Sequence, residues 1–233
     1  MKIFIGWDSK QEMASKVCEY SMRANSSANL DITHLNRNDL ILSGHYFRRD
    51  GDPSSTEFTY SRFLAPFLCN YKGWCMFVDS DFLFTADVQD LFNVVYKQRG
   101  YTKKAAYCVK HIEYTPKSDT KFYGKPQLTF PKKNWSSMII FNNAHPSTRQ
   151  LTPMSVSNRL PQWLHRFSWL NEEAGELGEL PVSWNWLAGE YNYLDTPPQG
   201  IHFTNGGPFN EVYGQDYENL WTSYMQEMMD SSN

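Results

Sequence analysis

A single α/β domain is the fold class that this chain of 233 residues predicts. Three observations carry that expectation. A strand-like run, "KIFIGW", feeds directly into a helix-start signal. Short continuous apolar runs then recur between turn residues, as the buried strands of a mostly parallel sheet do. Segments with apolar residues at helical spacing lie between and after these runs. A hydrophobic fraction of 41% supplies one sizeable core, and an aromatic fraction of 16% argues for an ordered chain.

The elements follow in order. "KIFIGW" is the first strand. "SKQE", Ser9 to Glu12, fits a capping box in which Ser9 and Glu12 satisfy the first free amides of a helix. Met13, Val17, Tyr20 and Ala24 give that helix its apolar stripe. No GxGxxG joins strand to helix, so a dinucleotide site gains no support. Residues 43 to 56 are polar and rich in Gly, Pro and Ser, and read as a loop. A second helix starts near "SSTE" and carries "FTYSRFLAPFL", with a kink at Pro66. "WCMFVD", "AAYCV" (105 to 109) and "SMIIF" (137 to 141) are further buried strands. Helical spacing returns over Leu160 to Leu170. Tyr217, Leu220, Trp221, Tyr224, Met225 and Met228 mark a last helix whose stripe packs on the core. Neither repeat nor linker divides the chain, so residues 1–233 form one domain.

Net charge is −3, but it is unevenly spread. Residues 97 to 133 hold ten Lys or Arg against Glu113 and Asp119, whereas residues 171 to 195 hold six acids and no Lys or Arg. The basic segment is read as a solvated insertion or as a surface for an anionic glycan or lipid-linked acceptor, which would place the protein peripherally at a membrane. No recognition motif accompanies the charge, so nucleic acid is not expected. The N-terminal apolar stretch is too short for a signal peptide, and no run is long enough to cross a bilayer. Cys18, Cys69, Cys75 and Cys108 show no paired metal spacing and read as free buried thiols of a cytoplasmic protein.

The informative chemistry lies in "WCMFVDSDFLF", residues 74 to 84. Asp79 and Asp81, on a strand, would face the same side. Two unpaired carboxylates there repel, and a hard divalent cation, Mn²⁺ or Mg²⁺, removes the cost. An apolar strand ending in Asp-x-Asp therefore reads as a platform for metal and diphosphate at the carboxyl edge of a sheet. "IHFTNGGPF", residues 201 to 209, adds His202 as a third ligand. Gly206 and Gly207 would let backbone amides approach a phosphate. The plainer account makes His202 a hydrogen-bonded core residue and the glycines a tight turn.

Together "KIFIGWDS", "FTYSRFLAP", "FVDSDFLFTADVQDLF", "LPVSWNWL" and "IHFTNGGPF" resemble the GT-A-fold nucleotide-sugar glycosyltransferases, nearest the family 8-like group of glycogenin and bacterial galactosyltransferases. The resemblance runs from residue 3 to about 209. It implies a Rossmann-like, mixed but mostly parallel sheet flanked by helices, and transfer of a sugar from a UDP-sugar with retention. It implies that Trp7 and Asp8 bind the nucleotide base and that Arg62 contacts the donor. It places Asp79, Asp81 and His202 on Mn²⁺ and Ser80 near the ribose. Asn185, between Trp184 and Trp186, would hold a sugar hydroxyl. The chain departs from the pattern in three places. Trp135, Ser136 and Ser137 stand where Asn-Ser-Gly is usual. The Asp-Gln pair ahead of the Trp-Asn strand is missing, and the closing motif lacks its lysine. Arg62 or a lysine of 97 to 133 would supply the missing charge. Two other readings stand beside this one. A haloacid-dehalogenase-type phosphatase also uses Asp-x-Asp, but needs Thr or Val soon after, where this chain has Phe82, Leu83 and Phe84. A non-catalytic nucleotide-sugar-binding module is the other.

Overall fold

Strand β1 (Lys2–Gly6) is apolar on both faces, so it belongs inside a sheet covered on both sides. In the computed structural model, which describes residues 1–49, 54–112, 115–117, 131–210, 214 and 216–231, it does. Helix α1 (Glu12–Ala24) leads to β2 (Asp31–Leu35), which pairs with β1 in parallel. Helix α2 (Arg37–Leu42) is capped by Asn36, whose side chain accepts from the amide of Asn38. A 3-10 turn (Ser61–Leu64) runs into the short α3 (Ala65–Leu68). Next come β3 (Trp74–Val78), β4 (Phe82–Phe84) and α4 (Val88–Lys97), capped by Asp87. Strands β5 (Ala106–Cys108) and β6 (Met138–Asn142) precede helices α5 (Pro153–Asn158) and α6 (Pro161–His165). The chain ends through β7 (Leu177–Glu179), β8 (Trp186–Leu187), β9 (Gly200–His202) and α7 (Glu218–Ser231).

The main sheet has the order β2-β1-β3-β6-β5-β7, and only the two pairings of β6 are antiparallel. Its side chains alternate strictly between two cores, as the period of a strand requires. Phe4, Cys75, Phe77, Ile139 and Phe141 face one core with Phe63, Leu64, Val156 and Leu164. Ile3, Ile5, Met76, Val78, Met138 and Ile140 face the other, covered by Cys18 and Met22 of α1 and by Leu91, Phe92 and Val95 of α4. A second, three-stranded sheet, β4-β9-β8, carries α7 through a third cluster around Leu83, Ile201, Phe203 and Trp221.

Several expectations need correction. The Ser9 capping box does not form. Ser9 Oγ donates instead to Glu57, and the amide of Lys10 takes Asp8 Oδ1 at 2.9 Å. The buried face of α1 is Ala14, Ser15, Val17, Cys18, Ser21 and Met22, while Met13 is exposed. Polar Ser21 is buried because its hydroxyl accepts from the amide of Phe84, tying α1 to β4. Tyr20 faces Tyr224 of α7. Pro66 kinks no long helix: it sits in the first turn of α3, where its missing N–H costs nothing. The helix expected over 160–170 is only the single turn α6, flanked by turns. The last-helix stripe does pack as core, with Trp221 buried and Leu220, Tyr224, Met225 and Met228 against the same cluster. All four cysteines are free, and three are buried. No helix among the described residues is long and apolar enough to cross a membrane.

The two charge blocks lie against one another. Lys110 Nζ is 3.9 Å from Glu179, Lys132 pairs with Glu172, and Lys104 Nζ donates to the carbonyl of Gly175 at 2.6 Å. Residues 113, 114 and 118–130, the middle of the basic segment, are outside the described residues.

Candidate metal and donor site

Because β1, β2 and β3 are parallel, Gly6, Leu35 and Val78 end at one edge of the sheet. Trp7, Asp8 and Asp79 emerge there, the edge where open α/β sheets bind ligands. Gly6 is required at this exit, since a Cβ would stand 2.6 Å from the ring of Phe58. The amide of Asp79 donates to the carbonyl of Ser137 at 2.8 Å, which carries the β3–β6 ladder one residue further. Asp81 then begins the second sheet, its carbonyl accepting from Phe203 N at 2.9 Å. The Asp-x-Asp thus bridges two sheets instead of continuing one strand, and β9 delivers His202 opposite Phe82.

Asp79, Asp81 and His202 each present one ligand atom within 4.8 Å of the others. They are not equivalent. Asp79 Oδ1 meets the Arg62 guanidinium at 2.7 Å, and Arg62 is almost completely buried. Burial pulls the Arg62 pKa down, opposed by the charges of Asp79 and Asp81. Arg62 also donates to the carbonyls of Thr59 and Ser136, at 3.0 and 2.7 Å. Asp81 Oδ1 is buried and accepts no hydrogen bond from a described residue, with His202 Nε2 at 3.4 Å. A buried, unsatisfied carboxylate oxygen is costly, and a cation would satisfy it. The donor set, two carboxylates and an imidazole, suits a hard or borderline divalent ion such as Mn²⁺. These residues fit a metal.

The other expected residues lie as follows. Asp8 is buried and shapes its own loop, accepting from the amides of Lys10 and Glu57 at 2.9 and 3.0 Å. Trp7 beside it is half-buried. Ser80 is fully buried between the two aspartates, and its hydroxyl donates to Gln11 Oε1 at 2.8 Å. Asn185 is fully buried, and both ends of its amide are taken: Nδ2 by Ser137 Oγ and Oδ1 by His202 Nδ1, each at 2.9 Å. The amide of Gly206 donates to Phe203 O at 2.9 Å, closing a turn with φ of 99° that favours glycine. Gly207 is held close by Phe203 and Phe209, where a Cβ would clash. Trp184 is buried core, whereas Trp186 is half-buried and packs on Tyr191 at 5.0 Å.

Some residues around the site gave no sequence signal. Gln11 holds Ser80 across 69 residues. His165 bonds Ser136 Oγ at 2.9 Å, behind the Arg62 guanidinium, and burial next to Arg62 and Arg48 pushes its pKa down to about 3. Glu190 is buried beneath Asn205 and the amide of Lys117. Each of these contacts joins segments far apart in the chain, so no local motif marks them.

No family model matches the chain. The fold is similar to the WbbM bifunctional glycosyltransferase in its apo form, with a TM-score of 0.59 and 17% identity over 99% of this chain and 51% of that one. The apo glycosyltransferase GlyE of Streptococcus pneumoniae TIGR4 also gives 0.59, at 14% identity over 99% and 63%. The galactosyltransferase LgtC in complex with donor and acceptor sugar analogs gives 0.58, at 11% identity over 97% and 96%. The chain therefore spans about half of WbbM, under two thirds of GlyE and nearly all of LgtC. Its fold is the GT-A glycosyltransferase fold, with Asp79 and Asp81 in the DxD position. In sequence it is 40% identical to Protein CDI of Arabidopsis thaliana over 231 residues, 97% of this chain and 86% of that protein. The chain belongs to the family of Protein CDI.

Proposed function

We propose that this protein is a metal-dependent glycosyltransferase that moves a sugar from a nucleotide-sugar donor, a UDP-sugar, to an acceptor hydroxyl with retention. The observation that carries the reading is the unsatisfied Asp81 Oδ1, set with Asp79 and His202 at the ligand-binding edge of a glycosyltransferase fold. Asp81, His202 and Asp79 would hold Mn²⁺ or Mg²⁺. When bound, the ion supplies Lewis-acid stabilisation of the charge that builds on the departing diphosphate.

The chain's own groups do the rest. Arg62 fixes Asp79 in place through the 2.7 Å ion pair. It also adds positive potential at the same edge, where leaving-group charge develops. Asp8, by ordering residues 8–10 and 57, sets the loop in which Trp7 offers its indole to the base. Ser80, locked by Gln11, fixes the backbone between the two aspartates near the ribose. Gly206 and Gly207 keep the chain after His202 tightly turned beside the diphosphate. Trp186, half-buried where Trp184 is core, would offer its indole to a sugar ring. The acceptor hydroxyl attacks on the face that the nucleotide leaves, with the leaving diphosphate taking its proton. An anionic glycan or lipid-linked acceptor is the class suggested by the lysines of 97–133.

Incubation with a panel of nucleotide sugars and Mn²⁺ tests this reading. Release of free nucleoside diphosphate, abolished by chelator and restored by Mn²⁺, is the expected result. Binding of donor without turnover across broad acceptor mixtures would instead leave a non-catalytic nucleotide-sugar module. Phosphate release from a simple phosphomonoester would revive the phosphatase reading.

A further inference from the structure

We infer that Asn185 is a positioning residue that sets which nitrogen of His202 faces Asp81, through a hydrogen-bond relay beginning at a backbone carbonyl. The inference rests on the metal reading above for its purpose, but not for its geometry. Ser137 Oγ lies 2.7 Å from the carbonyl oxygen of Asn134. A carbonyl only accepts, so the one hydroxyl proton of Ser137 is spent there. The contact between Ser137 Oγ and the Asn185 amide, at 2.9 Å, must then be donated by Asn185 Nδ2. This turns Asn185 Oδ1 toward His202 Nδ1, also at 2.9 Å. An amide oxygen only accepts, so Nδ1 carries the hydrogen. A neutral imidazole has one N–H, and Nε2 is left with its lone pair directed at Asp81 Oδ1, 3.4 Å away. Two acceptors thus face each other, an arrangement that a cation between them satisfies.

The scaffold holds this relay rigidly. The His202 ring stacks on Phe82 with centroids 4.5 Å apart and planes 16° apart. The amide of Asn185 is tied to the carbonyl of Val182 at 3.0 Å. Gly200, two residues before His202, lets β9 approach the Trp184 carbonyl, which a Cβ would meet at 2.3 Å. With no exposed surface and both amide ends committed, Asn185 acts on the site through His202 and does not itself touch a sugar.

Two measurements test the assignment. Long-range ¹H–¹⁵N NMR of histidine-labelled, metal-free protein at mildly alkaline pH, with His202 identified by its loss in His202→Gln, should show the Nδ1–H tautomer. An Nε2–H tautomer in the wild type would overturn the inference, whatever the protein's activity. Mn²⁺ titration then separates positioning from packing. Asn185→Asp keeps an acceptor for Nδ1 but loses the donor to Ser137 Oγ, so it should bind Mn²⁺ more weakly than wild type and more tightly than Asn185→Leu. Asn185→Leu removes the acceptor and should weaken binding roughly 10- to 100-fold. Leu binding as tightly as wild type, or Asp and Leu equally impaired, would overturn it. A wild type that binds no divalent ion sinks the metal reading, while the tautomer spectrum still decides the relay. The wild-type spectrum also decides it if either variant fails to fold.

Discussion

The chain treats the two aspartates on either side of Ser80 differently. On the six-stranded-sheet side, Asp79 meets a buried arginine at 2.7 Å. On the three-stranded-sheet side, Asp81 Oδ1 accepts no hydrogen bond from a described residue and lies 3.4 Å from His202 Nε2. The side chains are almost equally covered, at 15% and 13% exposed, so burial does not explain the difference. Partnering does. Asp79 offsets the buried charge of Arg62 and anchors the edge whether or not a ligand is present. Asp81 Oδ1, by contrast, has His202 Nε2 at 3.4 Å and accepts no hydrogen bond from a described residue. The first sheet ties Asp79 into a fixed frame, and the second brings Asp81 beside His202. A motif that looks symmetric in sequence is therefore split in the fold between a carboxylate paired with an arginine and one that is not.

That split can be broken experimentally, beginning with the largest effect. Asp81→Ala should lower nucleotide-sugar turnover by about 10³-fold or more, because it removes several kcal/mol of charge stabilisation. Its metal-free thermal midpoint should fall little. Asp79→Asn should do the reverse in stability terms. Stranding the buried Arg62 costs about 3 kcal/mol, or roughly 6–12 °C in Tm for a chain of this size. Equal stability losses in the two variants would erase the distinction. Mn²⁺ should then raise the wild-type Tm, by the equivalent of about 2.7 kcal/mol at a hundredfold excess over Kd, and leave Asp81→Ala unmoved. Differential scanning fluorimetry reads both.

The smallest effect concerns pH. His165 is buried behind Arg62 with its pKa pushed down to about 3, so the folded state binds its proton later than the unfolded chain does. Stability is therefore complete above the unfolded value near 6.5 and declines as pH falls toward 3, by up to about 1.4 kcal/mol per pH unit for this group. Buried His111, also pushed down to about 3, adds to the same slope. His165→Gln should flatten the stability profile below pH 6. An unchanged slope would mean that the imidazole behind Arg62 protonates without cost.

How much of this was legible in the sequence follows the range of each interaction. The β3 run, the paired aspartates and His202 were readable, because an apolar strand ending in charge is a local pattern and the ligand types are few. Four of the six main-sheet strands, β1, β3, β5 and β6, were readable for the same reason, whereas the edge strands β2 and β7, which are short or only partly buried, were not. The helix boundaries were not. Ser9 fits a capping box locally, but Glu57 captures it from 48 residues away. The apolar spacing of α1 suggested Met13, yet buried Ser21 outcompetes it because its hydroxyl serves β4. Asn185 was noticed for its flanking tryptophans, while its geometry depends on Ser137 and His202, 48 and 17 residues away. Tertiary partners decide such positions, and no window of sequence contains them.

The most direct test of the central claim is an anomalous-scattering crystal structure of the protein with Mn²⁺ and a nucleoside diphosphate. The account predicts one manganese peak within coordination distance of Asp81 Oδ1 and His202 Nε2, touching the diphosphate, with the Arg62–Asp79 pair still in place. Manganese elsewhere, or a diphosphate bound away from this edge with Asp81 and His202 bare, would contradict it.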